Sequence, residues 1–162
     1  MRRIEDIRAF GREVGTSLNA FNTSFITTGN ALYCEANDTS MAWKKRFIDG
    51  AISPVGVPCK SEEPFGVLCK FDEKRVKTFC DAVFALKYAT LLLKAVQKRL
   101  TQDNYQANLE YYKVDPATGI LYDWRIKGLL EIREEAYLEV IGIGIKEFHL
   151  NITDADTNEL EY

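Results

Sequence analysis

The chain has 162 residues, 46% of them hydrophobic and 12% aromatic, which is outside the disordered class and long enough for one domain with its own core. Its 21 Lys and Arg nearly balance 24 Asp and Glu, and a net charge of −3 is not the strongly basic profile of a dedicated nucleic-acid binder. No apolar run approaches the length of a membrane span, and the N-terminal MRRIEDIRAFGREV lacks the continuous apolar stretch of a secretory signal, so no membrane is expected and a cytoplasmic location is.

Ile4, Ile7, Phe10, Val14 and Leu18 recur every three or four residues, the stripe of an amphipathic helix over about residues 3–20. Gly11 and Gly15 fall four apart on nearly one line. Either another backbone approaches closely there or the helix frays after Gly15.

Residues 22–71 read as irregular. Gly29-Asn30 and Asn37-Asp38 are turn signals bounding a short strand near Ala31 to Glu35, and MAWKKRFID fits a helical turn or a short strand. GAISPVGVPCKSEEPFG holds three of the four prolines and reads as a long loop, either a contact element or a disordered segment.

From Lys74 to Leu100 there is no Gly or Pro, and Val76, Phe79, Cys80, Val83, Leu86, Leu93, Val96 and Leu100 form one stripe widened by Phe84, Tyr88, Leu91 and Leu92. This is the expected central helix, with Asp72 as its N-cap.

Beyond it the period changes to two. Asp115-Pro116 and Gly119 supply a turn between strands at 108–114 and 120–127, with Ile120, Tyr122, Trp124 and Ile126 on the inner face. A third strand is expected from Tyr137 to about Ile152, its apolar phase slipping at Gly142 and Gly144 as β-bulges would make it. The expected fold is therefore α+β. It has an N-terminal amphipathic helix, an irregular middle, and a long central helix packed on a C-terminal antiparallel sheet of three or more strands. Residues 1–152 form a single domain and 153–162 an acidic exposed tail.

Chemistry-bearing patterns are sparse. Cys34, Cys59, Cys69 and Cys80 form no CxxC pair and His149 is the one histidine, so no metal site of common Cys/His spacing and no cofactor is expected. The four cysteines read as buried free thiols. Asp154-Ala-Asp156 begins like a calcium loop but has Glu159 where glycine is required. WKKRF, from Trp43, interleaves bases with aromatics, yet one such cluster in an acidic chain reads as a solvated face.

Tyr111, Tyr112, Tyr122, Trp124 and Tyr137 crowd 27 residues, a density more typical of interfaces than of active sites. The leading expectation is a non-enzymatic protein–protein interaction or assembly protein, a viral structural component or an inhibitor of a host protein being two forms it could take. Its partner would be another protein or a second copy. Gly11, Gly15, Trp43, Tyr111, Tyr112, Tyr122, Trp124 and Tyr137 are the interface candidates. One alternative is a small-ligand-binding domain with a pocket between long helix and sheet, bounded by Trp124, Gly142, Gly144 and His149. A second is an enzyme using a cysteine with His149.

Overall fold

The computed structural model describes residues 2–18, 24–52, 73–102 and 110–161. Among them the chain is mostly helical. Helix α1 spans Ile4–Leu18, α2 Ser24–Gly50, α3 Glu73–Gln102, α4 Trp124–Val140 and α5 Asp154–Glu161. Strands β1 (Tyr112–Val114) and β2 (Leu121–Asp123) precede α4, and a π-helical segment, Ile141–Glu147, extends it.

α3 is the axis of the molecule. Every residue from Ala82 to Thr90 is buried, so this helix meets protein on all sides over more than two turns. α2 and α4 cover most of it, with α1 and α5 closing the remainder. α1 contributes Ile4, Ile7, Gly11, Val14 and Leu18, matching the stripe expected from its spacing. At Gly11 the ring of Tyr88 takes the space of a side chain: a Cβ there would stand 2.2 Å from Tyr88 Cε2. At Gly15 nothing lies within 4 Å, so the two glycines do not act as a pair.

The middle of the chain differs most from expectation. Residues expected to be irregular, with a strand at 31–35, form the 27-residue α2. Its buried positions Ala36, Ser40, Trp43 and Phe47 recur at four, three and four residues. Two are small, so the stripe carries little hydrophobic weight in sequence. Ser40 Oγ donates to Cys80 O at 2.8 Å, which brings α2 close to α3. The turn-forming Asn37 and Asp38 are exposed on the outer side. The Pro/Gly-rich loop, the N-cap at Asp72, Cys59 and Cys69 lie outside the described residues.

The expectation of an α+β fold with a C-terminal sheet of three or more strands is overturned: the sheet has two strands, each of three residues. Their register pairs Tyr112 with Asp123, Lys113 with Tyr122 and Val114 with Leu121. The turn forms as expected. Asp115 Oδ1 accepts from Ala117 N at 2.8 Å, and Gly119, at φ +71°, donates to Asp115 O at 2.7 Å.

The β2 period then stops at Asp123, whose extended backbone and carboxylate cap α4 by accepting from Arg125 N. From there Leu129, Ile132, Ala136, Val140 and Ile143 are the buried large or aliphatic positions, beside Arg125, Gly128 and Gly144, a helical period running through what was expected as a third strand. The phase slip at Gly142 and Gly144 marks the wider turn of the π-helical segment, not a β-bulge. Gly144 is buried there, its Cβ position 2.9 Å from Phe79 Cε2.

The expected exposed tail is also helical. Thr153 and Asp156 form a reciprocal cap, Thr153 N donating to Asp156 Oδ2 at 2.9 Å and Asp156 N to Thr153 Oγ1 at 3.2 Å. This helix, α5, buries Leu160.

Since Tyr88 is held by the rings of Tyr33 and Phe84 at 5.6 and 5.3 Å, it cannot swing clear of a new methyl group. Gly11→Ala is expected to lower stability by about 1–3 kcal/mol through overpacking, whereas Gly15→Ala should be neutral or slightly stabilising. Urea denaturation of both variants checks this; equal effects would contradict the close approach at Gly11.

Candidate functional site

One polar node fixes the hairpin to the helices. Arg125 is fully buried and Asp123 nearly so. The Arg125 guanidinium donates to both Asp123 oxygens, Nη2 reaching Oδ2 at 2.7 Å, and Nη1 reaches Ser17 Oγ at 3.2 Å. Its plane lies over the ring of Tyr111, 3.9 Å from the centroid, while Tyr111 Oη donates to Ser17 O at 3.0 Å. Burial is the main cause that raises the Tyr111 phenol above its usual pKa. The end of α1, the approach to β1 and the start of α4 thus share one hydrogen-bonded cluster. Beside it Trp124 packs edge-on against Phe10, whose ring tip would stand 2.2 Å from a Cβ at Gly128.

Beside this node, and sharing Asp123 with it, the hairpin and α4 frame an apolar groove of about 540 Å³ that Leu100 of α3 also lines. Tyr112, Ile120, Leu121, Tyr122, Ile126 and Leu130 supply its apolar wall, and Asp115, Thr118, Asp123 and Lys127 its polar groups. Ile120, Leu121 and Leu130 are 66%, 51% and 45% exposed, and Val114, 58% exposed, is the cross-strand partner of Leu121. Four large aliphatic side chains open to solvent in one place stand apart from the isolated Met41 and Leu138 elsewhere. Lys127 Nζ lies 4.8 Å from the centre of the Tyr122 ring.

Of the expected interface residues, the groove gathers Tyr112 and Tyr122. Tyr111 and Trp124 lie half-buried behind it in the polar node and against α1. Trp43 is a core residue, 2% exposed, with Arg46 stacked on its indole at 4.1 Å. Gly11 faces Tyr88 and Gly15 faces open space. Tyr137 lines a narrow apolar crevice with Leu86, Val140 and Leu160.

Among the expected pocket residues, Trp124, Gly142, Gly144 and His149 contribute nothing to the groove wall. His149 is exposed and adopts φ +54°, where the chain turns out of the π-helical segment. Ile120, Leu121, Ile126 and Leu130, which make most of the wall, went unread in the sequence as a surface. The period-two pattern set Ile120 and Ile126 on the inner face and Leu121 on the outer one, and Leu130 lay beyond the expected strand.

No described group of three or more His, Cys, Asp or Glu side chains is placed to hold a metal ion. Cys34 and Cys80 are free, the first exposed and the second half-buried. Burial pushes the Cys80 thiol up to about 11, which makes it a poor nucleophile at neutral pH. No described helix is long and apolar enough to cross a membrane. No family model, curated protein or solved structure matches the chain.

Two outcomes follow from these environments. Asp123→Ala leaves the Arg125 charge buried without its partner and should lower stability by about 3–5 kcal/mol. Adding Arg125→Met to it should recover much of the loss, and a double variant as unstable as the sum of the singles would argue against a coupled pair. With a thiol reagent at pH 8, peptide mapping should find Cys34 modified on the order of 100-fold faster than Cys80.

Proposed function

We propose that this chain is a non-enzymatic assembly protein that associates with a second copy of itself through the groove face of the hairpin and α4. The observation that carries the reading is the convergence of Ile120, Leu121 and Leu130, all about half exposed or more, on one groove. Burying three such side chains stabilises a complex by several kcal/mol before the entropy of association is met. The rim supports a like partner in particular. With Asp123 of the lining already paired to Arg125, it leaves one acid, Asp115, and one base, Lys127, and a two-fold axis sets such a pair on one copy against its counterpart on the other. The Asp123–Arg125 node behind the groove holds the surface rigid, so little ordering is needed on docking.

A small-ligand reading is supported by one observation. The groove volume, about 540 Å³, lies in the range that small-molecule sites occupy, with mostly apolar walls and a few polar groups at the rim.

Size-exclusion chromatography with light scattering, over a concentration series with and without reductant, tests the assembly reading. Dimer should increase with concentration, and Leu130→Glu should weaken association at least about tenfold while leaving the fold intact. A monomer at every concentration would sink the proposal and leave the ligand reading, for which a thermal-shift panel of apolar small molecules is the next measurement.

A further inference from the structure

The charged groups that line the hairpin groove are not equally open to a ligand. Both oxygens of Asp123 accept from the Arg125 guanidinium, and Oδ1 also accepts from Arg125 N, so this carboxylate is neutralised where it stands. Asp115 is turned to the tip of the hairpin, where its Oδ1 accepts from Ala117 N at 2.8 Å. Lys127 is exposed, and its Nζ lies 4.8 Å from the centre of the Tyr122 ring. Among the described residues no carboxylate pairs with it.

A ring face occupies one side of an ammonium and leaves N–H donors free on the other. Water serves an exposed lysine well, so the side chain by itself points to no ligand. Its place in the groove does. Lys127 follows Ile126 directly and precedes Leu130 by about one turn of α4, while the ring it meets belongs to β2. The cation therefore joins the strand wall to the helix wall, at the edge of an apolar surface made by Ile120, Leu121, Ile126 and Leu130.

Sign and count of charge narrow the class further. With Asp123 neutralised, the lining offers one unpaired cation, and Asp115 on the same lining opposes a second negative charge. A lone lysine is a point charge and lacks the planar fork with which arginine grips a phosphate at two oxygens. A monoanion on a long apolar body meets all these conditions.

We infer that the groove takes an amphiphilic carboxylate, its chain against Ile120, Leu121, Ile126 and Leu130 and its head on Lys127 Nζ. The inference rests on the small-ligand reading of the groove and adds the sign of the ligand's charge. Such a ligand and a second copy of the chain use the same side chains, so each excludes the other.

Isothermal titration calorimetry on the full chain at neutral pH tests it with three probes of one chain length: decanoate, decanol and decylammonium, each below its solubility or micellar limit. Decanoate should bind about threefold more tightly than decanol and about tenfold more tightly than decylammonium. The net charge of −3 favours the ammonium over the protein as a whole, so a preference for the carboxylate reports the groove itself. Self-association through the same surface lowers all three affinities alike and leaves their order unchanged. Lys127→Met, which keeps an apolar stem at an exposed position, should bring decanoate down to the level of decanol. Equal affinities for the three probes, or tightest binding of decylammonium, would overturn the inference and leave the small-ligand reading standing. A preference for decanoate that persists in Lys127→Met would overturn it too, and binding of none of the three would overturn both.

Discussion

Nine consecutive buried residues, Ala82 to Thr90, set the terms for the rest of this molecule. A helix surrounded by protein cannot be served by one neighbour, because each packed helix covers only about a third of its circumference. α2, α4, α1 and α5 accordingly each give a narrow stripe, and each stripe is adjusted to what α3 presents. Where Tyr88 is bulky, α1 supplies Gly11. Where Phe79 is bulky, the π-helical segment supplies Gly144. Where α2 comes close, it does so through Ala36 and Ser40, the latter bonding directly to the Cys80 carbonyl. Large and small residues alternate across these contacts in the way a close-packed interior requires.

Among the described residues, charged groups enter this core at two points and are handled differently. Arg125 and Asp123 are two residues apart, so their ion pair is assembled within one short piece of chain and also caps the helix that follows. The desolvation of both charges is offset by hydrogen bonds to Ser17 and by the Tyr111 ring. Lys87 instead depends on a segment 72 residues away. Asp156, whose carboxylate is held down to about 2 chiefly by hydrogen bonding to Arg46, keeps its charge at any ordinary pH. Its contribution is present above about pH 4, the unfolded range for Asp, and fades only as acid approaches the folded value.

How much of this was legible in the sequence depended on where side-chain size and spacing coincided. α1 and α3 carry large aliphatic and aromatic residues at helical spacing and could be read almost to their ends. The turn from Asp115 to Gly119 was equally clear, since its chemistry is local. α2 was hidden because Ala36 and Ser40 weigh little on any hydrophobic scale, and because Asn37 and Asp38 favour turns until a neighbouring helix fixes the backbone around them. In α4 the alternation of Leu138, Val140 and then Ile141, Ile143 and Ile145 mimicked a strand. Arg, Glu, Leu and Ala dominate residues 129–136 just before it, and they are better helix formers than strand formers. The Thr153-x-x-Asp156 cap was visible as a pattern and was absorbed into a failed calcium-loop comparison. Of the groove, the two tyrosines were legible as surface residues. The exposure of Ile120 and Leu130 was not, because it follows from the sheet ending after three residues instead of being covered by a third strand.

That early end of the sheet is also what gives the molecule its open face. Had β2 continued past Asp123, Ile126 and Leu130 would have shared one face of a strand with Ile120 and Tyr122. The carboxylate of Asp123 instead starts a helix at Trp124, and the chain axis changes direction there. Residues on two kinds of element then converge at one angle: Leu121 and Tyr122 from the strand, Ile126 and Leu130 one turn apart on the helix. At this corner the side chains leave a groove, and Ile120, Leu121 and Leu130 in its lining stay about half exposed or more. The residue that closes the sheet and the residues that line the groove therefore belong to one structural decision, made at Asp123 and held in place by the buried charge of Arg125.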